Sequence, residues 1–260
     1  MGVIGRSLGA VRREERAVEP FDQVRLDGIG QVEIALGEAD RVVVEAAEDV
    51  LERVVTRVER GVLVLEQREG HFWRSWKGVQ IRFEITMRSV RGLAIDGSGS
   101  IHAARLHSDS FAASIDGAGE ISVGTADVDR LHVSIDGAGR VALESAKARE
   151  ARVVVDGAGT VDLGRLQADE AEITIDGHGR VAGSGTVNRL AIRIDGTGKA
   201  ETHELEARSV DVRIDGVGKV TTHAVESLDV RIDGFGRVEY AGNPRIHQSM
   251  GGAGRVARLV

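Results

Sequence analysis

The sequence contains no cysteine, only two prolines and very few rings: Phe, Trp and Tyr make up 3% of its 260 residues. Each shortage excludes something. Without Cys there are no disulfides, no thiolate metal sites and no Cys nucleophile. With so few rings, the core has to be built from many small, equivalent layers of Val, Ile, Leu and Ala. No stretch approaches the roughly twenty apolar residues of a membrane span. The opening segment MGVIGRSLGAVRREERAVEP lacks the continuous apolar run of a signal peptide. A net charge of −7 argues against nucleic acid and anionic membrane surfaces as partners. At 42% hydrophobic and 29% charged residues, the chain has the composition of a folded, water-soluble protein.

What is abundant is glycine, with 34 residues, and most of it sits in a repeat. The phrase [Ile/Val]-Asp-Gly-x-Gly places its Asp at Asp96, Asp116, Asp136, Asp156, Asp176, Asp195, Asp215 and Asp233, in steps of 18 to 20 residues. A degenerate copy, Met250-Gly251-Gly252-Ala253-Gly254, follows the last, and an outlying copy, Leu26-Asp27-Gly28-Ile29-Gly30, stands near the start. Around each Asp the residues alternate. One and three positions before it are apolar (Ile135 and Val133 before Asp136), and the residue between them is mostly polar (Ser134). Period two is the signature of a strand with one buried face.

Short strands at a constant twenty-residue period predict an all-β fold: a right-handed parallel β-solenoid of about 20 residues per coil. One coil cannot bury its apolar face alone, but stacked coils can, so the repetition builds the core. Nine coils at one strand spacing each, roughly 4.8 Å, would make a rod about 40 Å long. The expected organisation is a flexible segment over 1–20, a β-rich N-terminal cap over 21–90 and the solenoid over 91–260. Within the cap, Val24–Ile34, Arg41–Glu45, Val62–Glu66 and Gln80–Met87 read as strands, and Asp49–Val58 as a helical turn running into a strand.

The turn residues invite two readings. Gly at two fixed places suggests positive φ, with the Asp side chain accepting from the turn's own N–H groups. The eight Asp residues from Asp96 to Asp233 are then a structural turn ladder. The competing reading is calcium, since stacked carboxylates are oxygen ligands. The calcium β-roll, however, places its Asp after the glycines, and only one carboxylate per coil is fixed here. Cations two before the Asp (Arg193, Arg213, Arg231) and four after it (Arg140, Arg180, Lys199, Lys219, Arg237) are expected to neutralise the column, leaving Asp96 and Asp116 unflanked. His203 and His223, each eight after an Asp, are expected to stack, without the third ligand a metal needs. No metal, no cofactor and no catalytic residue is assigned. The Gly-x-Gly stretches open strands rather than helices, so they are not nucleotide loops. Both tryptophans lie in His71-Phe72-Trp73-Arg74-Ser75-Trp76, where Phe72, Trp73 and Trp76 form a candidate contact patch or a lid over the core.

The chain resembles the family described as putative auto-transporter adhesin, head GIN domain. The likeness runs from about Arg16 onward. It rests on FDQVRLDGIGQVEIALGE, on GVLVLEQ, on the repeated Gly-x-Gly strands and on the ending LDVRIDGFGRVEYAGNPRIHQSMGGAGRV. The family usually writes Ser-Gly-Ser-Gly where this chain writes Asp-Gly-x-Gly, which favours a structural Asp over a calcium ligand. The resemblance implies a non-enzymatic envelope or surface interaction module, exported to the periplasm, outer membrane or cell surface, with a protein or glycan partner. A cytoplasmic location is the alternative, since neither leader nor lipobox Cys is visible. The alternative functions are a self-associating structural rod and a polysaccharide-active enzyme.

Overall fold

The structure, a computed structural model, describes residues 9–68 and 80–259. It is 78% strand and 2% helix, wound as a β-solenoid of about eight turns with roughly 20 residues per turn. The nine repeat corners from Asp96 to Gly251 bound eight intervals of chain, which is why there are fewer turns than copies of the motif. Among the described residues, no helix is long and apolar enough to cross a membrane.

The N-terminal region contributes β1 (Val11–Arg16), β2 (Gln23–Leu26), β3 (Ile29–Leu36), β4 (Arg41–Ala47), α1 (Glu48–Leu51), β5 (Val54–Glu59), β6 (Val62–Gln67) and β7 (Arg82–Met87). The first coils follow as β8 (Gly92–Ile95), β9 (Ser98–Ile115), β10 (Ala118–Ile135), β11 (Ala138–Lys147), β12 (Glu150–Val155) and β13 (Ala158–Ile175). The last are β14 (His178–Ile194), β15 (Thr197–Ile214), β16 (Val217–Ile232), β17 (Phe235–Ala241), β18 (Arg245–Met250) and β19 (Ala253–Arg258). From β8 to β19 all pairing is parallel, and each residue faces its equivalent one coil on: Ile115 opposes Ile135, and Ile135 opposes Val155. The inward columns are sealed. Ile95, Ile115, Ile135, Val155, Ile175, Ile194, Ile214 and Ile232 are all fully buried.

The outlying motif copy is in register with the others. Strand β2 lies between β6 and β8, and β3 between β7 and β9, so Leu26 opposes Ile95 and Gly30 opposes Gly99. The chain lays down one coil with residues 23–36, places a second on its outer side with β6 and β7, then returns to the inner side at β8. Strands β5 and β4 close over that outer coil antiparallel, and β1 adds to β4. Strand β1, VRREER, is exposed and charged, a composition that discourages further strand pairing at this edge.

The corner chemistry differs from the expected capping. Asp136 N–H and Gly137 N–H both donate to the Ile115 carbonyl, at 3.0 and 3.1 Å, and Ala138 N–H donates to the Gly117 carbonyl at 2.9 Å. The same three bonds recur at every corner from Asp96 to Gly251. The turn donors are thus used by the preceding coil, and none is left for the Asp side chain. Positive φ is not the general reason for glycine either. Among the motif glycines of the described residues only Gly30 and Gly99 have it, at 154° and 158°, close to fully extended. The reason is proximity. A Cβ on Gly137 would overlap the carbonyl oxygen of Gly117, and a Cβ on Gly159 would press within 2.8 Å of Ile135 Cγ2 in the core.

At the outer end, where β6 stops, a side chain replaces the missing backbone. The Gln67 Oε1 accepts from Ile29 N–H at 2.7 Å, and its Nε2 donates to the Ile29 carbonyl at 3.1 Å. At the opposite end, β18 and β19 pair only inward, and core-facing Ile246 and Met250 are each 43% exposed.

This corner geometry predicts that Gly137→Ala costs about 3 kcal/mol of stability, because the methyl has to displace backbone. The neighbouring Ala138→Ser, on an outward position, should change stability by less than about 0.5 kcal/mol. Equal effects in a denaturant titration would contradict the close-approach explanation.

Candidate functional site

The outward residues of each corner form parallel columns along the solenoid axis. The Asp column now begins with Asp27 and runs through Asp96, Asp116, Asp136, Asp156, Asp176, Asp195, Asp215 and Asp233, one strand spacing apart. Like charges at this spacing repel, and the structure offsets the repulsion mainly at the two ends. Near the start, the Arg25 Nε lies 2.7 Å from Asp27 and 3.6 Å from Asp96. Near the finish, Arg193 reaches Asp195 at 2.7 Å and Asp215 at 3.5 Å, and Arg231 reaches Asp233 at 2.6 Å. Arg213 turns instead to Asp211, at 3.2 Å. The stretch without an ion pair among the described residues is therefore Asp116, Asp136, Asp156 and Asp176: Asp116 is unflanked as expected, whereas Asp96 is not. Arg25 escaped the sequence reading because it lies far from Asp96 along the chain and reaches it only through the β2–β8 pairing.

The cations four after each Asp do not serve the Asp column. Among the described residues no ion pair joins them to an Asp of the column. Arg180 and Lys199 both pair with Glu201, and Lys219 (2.9 Å) and Arg237 (3.7 Å) both pair with Glu239. Those glutamates sit two residues further along the same outward face. The cations form a separate column in which Arg180, Lys199, Lys219, Arg237 and Arg255 follow one another in register. Between this column and the Asp column lies the x position of each motif: His178, Thr197, Val217, Phe235 and Ala253. Val217 is 52% and Phe235 68% exposed.

Titration follows these surroundings. Partial burial, then the neighbouring Asp27 and Asp116, hold the Asp96 carboxyl above the usual range. Burial also raises Asp176, which shares a hydrogen bond with Asp195, whereas the Arg193 guanidinium lowers Asp195. Lys199 and Arg180 lower Glu201, and Lys219 lowers Glu239. The Asp176–Asp195 pair resembles an acid and a base with separated pKa values, but it stands on an exposed ridge.

The expected histidine stack does not form. The register slips between Thr202 and Glu206, so His223 opposes Glu206 rather than His203. The cause is the shortened coil from Asp215 to Asp233, which leaves residues 203–205 without opposite numbers. The aromatic patch of Phe72, Trp73 and Trp76 lies outside the described residues.

Comparison with known proteins follows the same division between fold and site. Residues 20–182 and 147–244 each match the family described as Putative auto-transporter adhesin, head GIN domain. The chain belongs to this family. No curated protein matches the chain. Among solved structures, a putative adhesin from Parabacteroides distasonis ATCC 8503 superposes with a TM-score of 0.74 at 16% identity, covering 98% of both chains. A putative adhesin from Parabacteroides merdae ATCC 43184 gives 0.72 at 17%, covering 97% of both. A putative lipid binding protein from Parabacteroides distasonis ATCC 8503 gives 0.68 at 17%, covering 97% of this chain and 98% of that one. At such identities these likenesses establish the head GIN fold and leave the ligand open.

The column geometry predicts opposite outcomes for two isosteric changes. Asp136→Asn should stabilise the protein by about 0.5 kcal/mol, by relieving repulsion from Asp116 and Asp156, and added salt should shrink the gain. Asp233→Asn should destabilise it, because Arg231 loses its partner. The Asp176→Asn variant should also change the pH dependence. A carboxyl raised in the fold makes stability fall as pH rises from the ordinary Asp range through the folded pKa, and this variant should lose that fall. Melting curves across pH check all three, and destabilisation by Asp136→Asn would restore a capping role to the Asp.

Proposed function

We propose that the protein is a non-enzymatic, adhesin-like interaction module of the bacterial envelope or surface. The observation that carries this reading is the segregation of unlike columns on one exposed ridge. An acidic column, an apolar edge at Val217 and Phe235, and a cationic column repeat coil after coil, giving an extended contact surface rather than a single reacting centre. Family membership and the putative adhesins of the same fold support the reading. The two carboxylates raised above the ordinary range, Asp96 and Asp176, are members of the same repeated column. Export to the envelope is part of the proposal.

A second reading, self-association, is favoured by the open last coil. Strands β18 and β19 are free edges, and Ile246 and Met250 are half-exposed. The opposite end presents β5, which pairs only with β6, and the charged β1, whose composition discourages strand pairing, so a tail-to-tail pair fits better than a head-to-tail filament.

Beads carrying the protein should attach saturably to bacterial envelope material and leave its size distribution unchanged after prolonged incubation. Depolymerisation of the bound material would contradict the non-enzymatic assignment, and absence of attachment would contradict the adhesin-like one.

A further inference from the structure

The cationic column is the feature that folding leaves unexplained. On some other outward columns opposite charges meet across coils: Arg152 opposes and pairs with Glu172, and Arg189 opposes and pairs with Glu170. Arg180, Lys199, Lys219, Arg237 and Arg255 instead stack five deep with no acid between them, an arrangement that works against sheet stability. Among the described residues Glu201 and Glu239 stand beside them, each shared by two cations, and Arg255 makes no ion pair, though its charge reaches Glu239. The face is therefore net positive on a chain whose net charge is −7.

The neighbouring column supplies a second, independent observation. Residues two apart on a strand share a face, so Val217 and Phe235 lie directly beside Lys219 and Arg237. Phe21, Phe83 and Phe111 are buried, and Phe235 is the one phenylalanine exposed among the described residues. A bare ring beside a row of cations offers an apolar plane and a charge partner to the same ligand.

Spacing identifies the ligand class. The rungs of the column are one strand spacing apart, roughly 4.8 Å. An extended peptide presents same-face side chains about 6.6 Å apart and falls out of step after two rungs. In an extended glycan with one carboxylate on every sugar, neighbouring sugars are turned over about the chain axis, so same-face carboxylates recur at every second sugar, a step comparable with two rungs, and its C–H faces suit the Phe235 ring.

We propose that this face binds a linear polyuronate-type glycan lying along the solenoid axis. In this arrangement every second carboxylate meets the column of Arg180, Lys199, Lys219, Arg237 and Arg255, at alternate rungs, and a sugar ring rests on Phe235. The proposal builds on the adhesin-like reading and names its ligand class.

Calorimetric titration of the full chain with oligogalacturonates of increasing length, at low salt, tests it. Affinity should rise with length up to five sugars and then level off, weaken with added salt, and vanish for the fully methyl-esterified polymer. Lys199→Glu/Lys219→Glu should weaken binding more than about ten-fold. Arg255→Ala, which breaks no ion pair, and Phe235→Ala should each weaken it several-fold with unchanged melting temperature. Arg152→Glu, on another column, should leave it unchanged. The proposal is overturned if oligogalacturonate does not bind, if polyglutamate binds equally well, or if Arg152→Glu weakens binding as much as the double variant. Attachment to whole envelope material without binding to oligogalacturonate would overturn it while leaving the adhesin-like reading intact.

Discussion

Each Asp-Gly corner from Asp96 onward closes where two backbones approach too near for a side-chain carbon to fit between them. Gly137 lies against the Gly117 carbonyl, and the same contact recurs along the rod. That approach lets the Asp136, Gly137 and Ala138 amides all reach carbonyls of the preceding coil. The backbone therefore satisfies its own corners, and the side chains there are released from structural duty. The Asp, x and cation positions can vary in chemistry without disturbing the winding, which is how one ridge comes to carry three unlike columns.

Much of this was legible in the sequence because a solenoid writes its registry into its period. The Ile and Val columns, the corner positions and the helical turn before β5 follow from spacing and alternation alone. The N-terminal copy at Asp27 was less legible. Its partner coil is reached only after the chain has made the excursion through β4 to β7, so sequence distance hid spatial adjacency. Gln67 gave no signal either, because a side chain replacing backbone at the end of a ladder follows no pattern.

The electrostatic reading failed for a definable reason. Counting positions placed Arg180 and Lys199 near the Asp column, whereas both turn to Glu201. The glutamates two residues on were the true partners, and same-face adjacency would have found them. The separation of the two charged columns, and with it the exposed position of Phe235, became visible only once the coils were stacked.

The central claim is that inter-coil backbone bonds, and not the Asp side chains, hold the corners and fix the spacing of the columns. Native-state hydrogen exchange at the Asp136 and Gly137 amides tests it most directly. The account predicts protection equal to that of the neighbouring core amides of Ile135 and Val133, unchanged in Asp136→Ala. Rapid exchange at these two amides, or protection that disappears when the carboxylate is removed, would contradict it.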